Sequence, residues 1–131
     1  MSEHLITAAI AAMDKAYAPY SGFSVGAAIL DEYGAVHTGA NIENAAYPQG
    51  CCAEASAISA LIMAGGRQIL KIAVAGRGEV LCTPCGGCRQ KIREFGTAET
   101  QILICDESGL RQTFTLDGLL PHSFGPDNLN R

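Results

Sequence analysis

Cys52-Ala53-Glu54 and, a helix and a strand later, Pro84-Cys85-Gly86-Gly87-Cys88 decide how this chain is read. A Cys-x-x-Cys pair alone fits a redox couple or a structural zinc knuckle. A third thiol beside a carboxylate narrows the choice. Three thiolates leave one corner of a tetrahedral zinc open to water, which separates a catalytic zinc from a closed structural one. A carboxylate two residues from a ligand lies close enough to that water to move its protons without binding the metal. Cys52, Cys85 and Cys88 are therefore the expected ligands of one Zn2+ per subunit, and Glu54 the general acid/base.

Working outward, both halves sit at helix starts. The Ala- and Ser-rich segment from about Cys52 to Ala64 is stopped by Gly65-Gly66, and a second helix runs from about Gly86 to Phe95 and ends at Gly96. Pro84 suits helix entry because it has no N–H to leave unpaired, and Gly86-Gly87 lets the backbone bend between the two thiols. Exposed N–H groups and the positive end of the dipole favour thiolates at such positions. Two parallel helix N-termini side by side would bring the three sulfurs to one metal.

The rest of the chain supplies the frame. From Glu3 to Tyr17, Leu5, Ala8, Ala9, Ala12, Met13 and Ala16 form the stripe of an amphipathic helix, which Pro19 ends. Phe23 to Leu30 reads as a strand, Asp31 to Gly34 as a turn and Ala35 to Ala40 as the returning strand of a hairpin. Asn41 to Gly50 is a polar loop. Ile69 to Ala75 is a continuous apolar run suited to a strand buried on both faces. Thr100 to Cys105 is another such strand, followed by a turn and a fifth strand from Arg111 to Leu116, with a helical turn to Leu120. This order predicts a single domain over residues 1–131: an α/β, three-layer α/β/α fold with a mixed five-stranded sheet, helices on both faces and right-handed crossovers.

Bulk properties limit the partners. An apolar fraction of 48% and a charged fraction of 17% describe a packed globule. No apolar run approaches a membrane span, and Met1-Ser2-Glu3-His4 has neither the basic start nor the apolar core of a secretory signal. A cytoplasmic location is expected, where clustered thiols suggest metal before disulfides. The net charge of −4 argues against nucleic acid, whose phosphates call for a basic surface. Arg89, Lys91 and Arg93 form the one loose basic cluster, read as a solvated helix face. Cys51 has the wrong spacing to Glu54, and Cys82 and Cys105 read as buried thiols at apolar strand ends.

Beyond the metal motif, the chain resembles the small, homotetrameric, zinc-dependent cytidine deaminases over nearly its whole length. Tyr20-Ser21-Gly22-Phe23-Ser24-Val25-Gly26-Ala27-Ala28 is similar to that family's first strand, and Gly39-Ala40-Asn41-Ile42-Glu43-Asn44-Ala45 to its ribose-binding loop. Cys85-Gly86-Gly87-Cys88-Arg89-Gln90, Glu94-Phe95 and Leu119 to Phe124 match further signatures. The resemblance implies hydrolytic deamination of cytidine and 2′-deoxycytidine, a step of pyrimidine salvage, on a small-molecule nucleoside. It implies that Phe23 flanks the base, that Asn41 and Glu43 bind the ribose chiefly at its 3′-hydroxyl, and that Ala53 also contacts substrate. It further implies that Tyr47 and Phe124 close the pocket of a neighbouring subunit in a homotetramer.

One position departs from the family pattern. An Arg often follows the catalytic Glu in all-cysteine members and donates to ligand thiolates, whereas Ala55 stands here. Zinc with three thiolates carries a net negative charge, and Arg89 or the two helix dipoles are the expected compensation. Competing readings are a deaminase of another aminopyrimidine such as blasticidin S, a polynucleotide deaminase, a structural zinc module, and a thiol oxidoreductase using Cys85 and Cys88. The intact Asn41-Ile42-Glu43-Asn44 loop favours the plain nucleoside, and a carboxylate at the sugar disfavours a 3′-phosphate. A redox pair would leave Cys52 and Glu54 unexplained, and His4, His37 and His122 lie far in sequence from any fourth-ligand position.

Overall fold

The apolar run at Ile69–Gly76 becomes the central strand, β3, of a five-stranded sheet in a computed structural model that describes residues 2–130. The elements follow in the order α1 (Ser2–Met13), β1 (Val25–Asp31), β2 (Val36–Ala40), a 3-10 turn (Tyr47–Gln49), α2 (Ala53–Met63) and β3. After these come α3 (Gly86–Phe95), β4 (Gln101–Asp106), β5 (Gly109–Thr115), α4 (Leu116–Leu119) and a 3-10 turn (Pro126–Leu129). The strand order is β2-β1-β3-β4-β5. β1 is antiparallel to both β2 and β3, so those two run the same way, and β4 is parallel to β3. The connections through α2 and α3 therefore both join parallel strands. They advance in one direction across the sheet with their helices on one face, and so share one hand.

Side-chain alternation along the strands sorts the core into two layers. Ile29, Ile72, Val74, Ile102 and Ile104 face α2 and α3, where they meet Ala57, Ile58, Leu61 and Ile92. Ala28, Ala73, Ala75, Leu103 and Cys105 face Leu5, Ala9 and Met13 of α1. Small residues under α1 let that helix lie close to the sheet. The mixed sheet and three layers expected from the sequence are what the structure has.

Three expectations need correction. The first helix stops at Met13, short of Tyr17 and Pro19. Tyr17 is taken instead by an isolated bridge to Ile42, its N–H donating to the Asn41 carbonyl at 2.9 Å. Val80-Leu81-Cys82 is a loop with no strand character, and Val80 is exposed. The basic cluster is not a solvated face as a whole: Lys91 is exposed, but Arg89 and Arg93 are half-buried and tied to other segments.

Close approach of backbones fixes two helices. A Cβ built on Gly26 would lie 2.2 Å from the Ala9 carbonyl oxygen of α1, and one on Gly39 would lie 2.3 Å from the Ala57 nitrogen of α2. Only glycine admits such contacts. The carboxyl ends of β2 and β3 then feed directly into the segments that open α2 and α3, the end of an open α/β sheet where ligands characteristically bind.

Candidate active site

Cys52 is the N-cap of α2 and Cys85 the N-cap of α3, both with extended backbone, and Cys88 lies in the first turn of α3. The ligand atoms of Cys52, Cys85 and Cys88 all lie within 4.8 Å of one another. At a Zn–S distance of about 2.3 Å, three thiolates so grouped fit a single ion. Among the described residues this is the cluster that could hold a metal, and it contains no histidine or carboxylate. His37, remote from it, pairs with Asp31 at 2.8 Å. Donor set and geometry agree with one zinc per subunit and leave a fourth position without a protein ligand.

Charge in the cluster is set by burial and by helix N–H groups. Cys85 makes no strict capping hydrogen bond, yet the Cys88 and Gly87 N–H groups direct their dipoles at its sulfur and hold the thiol below its ordinary value. Burial pushes the Cys52 and Cys88 thiols up. A dication bound by the three sulfurs would reverse that, since a coordinated thiol is deprotonated outright. Glu54 is 5% exposed, and burial raises its carboxyl above the usual carboxylate value; the Cys88 thiol and the more distant Lys91 charge oppose this. A buried carboxyl of raised pKa beside an open metal position is arranged for proton transfer.

Around this centre, Phe23 precedes β1 with its ring 3.3 Å from the position a Cβ on Gly76 would occupy, and with Cys82 against the same spot at 2.8 Å. Phe23 is 45% exposed and does not belong to the core. Asn41 reaches back to its segment, Oδ1 accepting from the Val25 N–H at 2.8 Å and Nδ2 donating to the Phe23 carbonyl at 2.9 Å. Glu43 does the same one turn earlier: Oε1 accepts from the N–H groups of Tyr20 (2.9 Å) and Ser21 (3.1 Å), and Oε2 from the Ser21 hydroxyl. Ala53 opens α2 with its side chain buried, so its backbone, bearing a first-turn N–H, is what it can offer a ligand. Tyr47 and Phe124 are 73% and 58% exposed, and the Tyr47 ring meets the Tyr20 ring edge-on with centroids 6.1 Å apart.

Arg89, one of the two expected sources of compensation, directs its hydrogen bonds away from the thiols. Its guanidinium donates to the carbonyls of Pro84 (2.7 Å) and Leu119 (2.8 Å) and to the Thr83 hydroxyl (3.4 Å), so it braces the loop that delivers Cys85. Cys105 is a buried thiol at the end of a strand, as expected, whereas Cys82 is half-buried in a loop; burial pushes both thiols up to about 11. All six cysteines are free thiols. The sequence reading missed Ser21. Its hydroxyl accepts from the Phe23 N–H at 3.0 Å, a local turn that a Ser two residues before the motif Phe could have announced.

A family model described as the cytidine and deoxycytidylate deaminase zinc-binding region matches residues 1–104. The chain belongs to the cytidine deaminase family. It is 41% identical over 126 residues to a cytidine deaminase of Halalkalibacterium halodurans, covering 96% of each chain. It is 46% identical over 117 residues to a cytidine deaminase of Mycobacterium tuberculosis, covering 88% of this chain and 84% of that one. Its fold superposes on the crystal structure of a cytidine deaminase from Burkholderia pseudomallei with a TM-score of 0.89 at 40% identity, covering 95% of this chain and 99% of that one. The zinc-binding region named by the family model spans all three clustered cysteines.

Proposed function

We propose that the chain hydrolytically deaminates cytidine and 2′-deoxycytidine to uridine and 2′-deoxyuridine, with water consumed and ammonia released. The observation that carries this reading is the buried Glu54 beside three thiols within 4.8 Å of one another. Cys52, Cys85 and Cys88 would hold the zinc, which supplies the Lewis acidity that makes water nucleophilic near neutral pH.

The remaining steps belong to side chains. Glu54 accepts a proton from the water attacking C4 and delivers it to N3 of the pyrimidine. It then carries the second proton to the amino nitrogen as the C4–N bond breaks. Burial suits it to this work, because a carboxyl raised above the usual carboxylate value takes a proton more readily before returning it. Phe23 flanks the base from its seat against Gly76 and Cys82.

Asn41 and Glu43 bind the sugar with the capacity their internal bonds leave over. Asn41 spends one amide hydrogen on Phe23 and one lone pair on Val25, so one N–H and one acceptor site stay free. An ionised carboxylate has about four acceptor sites. Glu43 commits its acceptors to Tyr20, Ser21 N–H and Ser21 O–H and keeps one more. One donor beside one acceptor is the complement of a hydroxyl group, which supports recognition of the 3′-hydroxyl. Ala53 would add a backbone contact.

Exposed Tyr47 and Phe124, with exposed Tyr20 and Ile42, support a homotetramer in which each completes a neighbour's pocket. Six free thiols suit a reducing, cytoplasmic setting. None of the described helices is long and apolar enough to cross a membrane.

The test is loss of the cytidine ultraviolet band on mixing enzyme with cytidine, 2′-deoxycytidine, dCMP, cytosine and blasticidin S in turn. Turnover of the two nucleosides, with little of the others, is expected. Preference for dCMP or for blasticidin S would overturn the substrate assignment.

A further inference from the structure

We infer that Ser21 is a positioning residue for sugar recognition, its hydroxyl coupling the carboxylate of Glu43 to the backbone that presents Phe23. This rests on the reading of Asn41 and Glu43 as sugar-binding groups. A Ser hydroxyl has one hydrogen to give. The Phe23 N–H points at Ser21 Oγ at 3.0 Å, so the oxygen accepts there and its hydrogen goes to Glu43 Oε2. The Ser21 N–H donates to the other carboxylate oxygen, Oε1, at 3.1 Å. One residue thus holds both oxygens of Glu43, and its hydroxyl also receives the N–H of the residue proposed to flank the base.

The geometry has a consequence for specificity. With Tyr20 and Ser21 filling Oε1 and the Ser21 hydroxyl on Oε2, the remaining acceptor direction of Glu43 lies on Oε2. The Ser21 hydroxyl decides how the carboxylate is rotated, and therefore where that direction points. It also favours the ionised form, being the first cause that lowers the Glu43 carboxyl. Without it, the carboxylate keeps its two backbone donors on Oε1 and swings about them. Ser21 is exposed, so removing the hydroxyl leaves no buried cavity.

Cytidine and 3′-deoxycytidine, which differ by the one hydroxyl, separate this role from a general one. Ser21→Ala should lower kcat/KM for cytidine by about tenfold, mainly through KM, and that for 3′-deoxycytidine by about twofold, the smaller loss reflecting the freed Phe23 N–H. Ser21→Thr keeps the hydroxyl and should restore the cytidine preference. In a Glu43→Gln background, Ser21→Ala should no longer change the ratio of the two substrates. Equal losses on both substrates with Ser21→Ala would overturn the assignment and leave Ser21 acting through Phe23 alone. If Glu43→Gln itself costs both substrates equally, the sugar-binding reading of Glu43 fails, and the coupling proposed for Ser21 fails with it.

Discussion

Gly39 of β2 lies directly beneath Ala57 of α2: a methyl group at residue 39 would sit 2.3 Å from the Ala57 nitrogen and 2.7 Å from the Ala53 carbonyl oxygen. The contact is backbone on backbone, so no side-chain rotation can relieve it. Because Cys52 caps α2 and Glu54 lies in its first turn, the distance between this glycine and the helix sets where the clustered thiol and the proposed proton carrier stand. Gly39→Ala should push the first turns of α2 outward and destabilise the fold by at least about 1–3 kcal/mol, as overpacking does. A melting curve and zinc content read together check this. An unchanged melting temperature with full zinc loading would mean that the sheet yields rather than the helix.

The same contact shows what the sequence could and could not disclose. The spacing of Cys52, Glu54, Cys85 and Cys88 is local to two helix starts, so the gathering of three thiols near a carboxyl was legible before any fold was known. The bounds of α3, Gly86–Phe95, coincide with the reading because Pro84 and Gly96 punctuate both ends. The end of α1 was not legible, since Tyr17 leaves the helical path for a partner, Ile42, more than twenty residues away. Nor could alternation along the loop reveal that Asn41 and Glu43 turn back onto the Tyr20–Val25 segment. Arg89, next to a ligand in sequence, looked like a counter-charge, but three oxygens of the Thr83–Pro84 loop and Leu119 claim its guanidinium.

Adjacent thiols should differ sharply in metal retention. Cys52 caps α2 and joins the cluster, whereas Cys51 bridges to Ile42 through its backbone and directs its thiol at the Cys52 carbonyl at 3.5 Å. Cys52→Ala should lose zinc and Cys51→Ala should keep it at one per chain. Metal analysis giving the opposite result would shift the motif by one residue.

Acid stability should carry the mark of Asp31. This buried carboxylate at the end of β1 accepts from Tyr33 N–H (2.8 Å), Ala35 N–H (2.9 Å) and His37 Nε2 (2.8 Å). The His37 hydrogen bond, foremost, holds its pKa below the ordinary 3.8. A carboxyl depressed in the folded state contributes stability that is complete above its unfolded value and lost as pH falls through the folded one. The melting temperature should therefore drop as pH falls below about 4, and Asp31→Asn should lower it at pH 7 while flattening that acid limb. An acid limb of unchanged steepness in Asp31→Asn would assign the sensitivity to other carboxylates.

Glu54→Gln separates proton transfer from structure. The amide has nearly the shape of the carboxyl, and at 5% exposure that shape is what the surrounding first turn of α2 is packed around. The sulfurs rather than this carboxyl would hold the metal, and the amide can still meet the Cys88 sulfur, so zinc should remain stoichiometric and the melting temperature within a few degrees of the parent. What disappears is a group able to accept a proton from water and return it to N3 and the leaving amine. General acid–base catalysis is worth about 10²–10⁴ in rate, and Glu54 is asked to act at both ends of the reaction, so the loss should reach at least the upper part of that range. Cytidine should still bind, because Phe23, Asn41 and Glu43 are untouched, which leaves the variant a stable complex for measuring nucleoside affinity by calorimetry. Turnover within tenfold of the parent in a zinc-loaded variant would remove Glu54 from the mechanism and require another proton carrier; Cys82, whose thiol is held neutral at about 11, is poorly suited to that part.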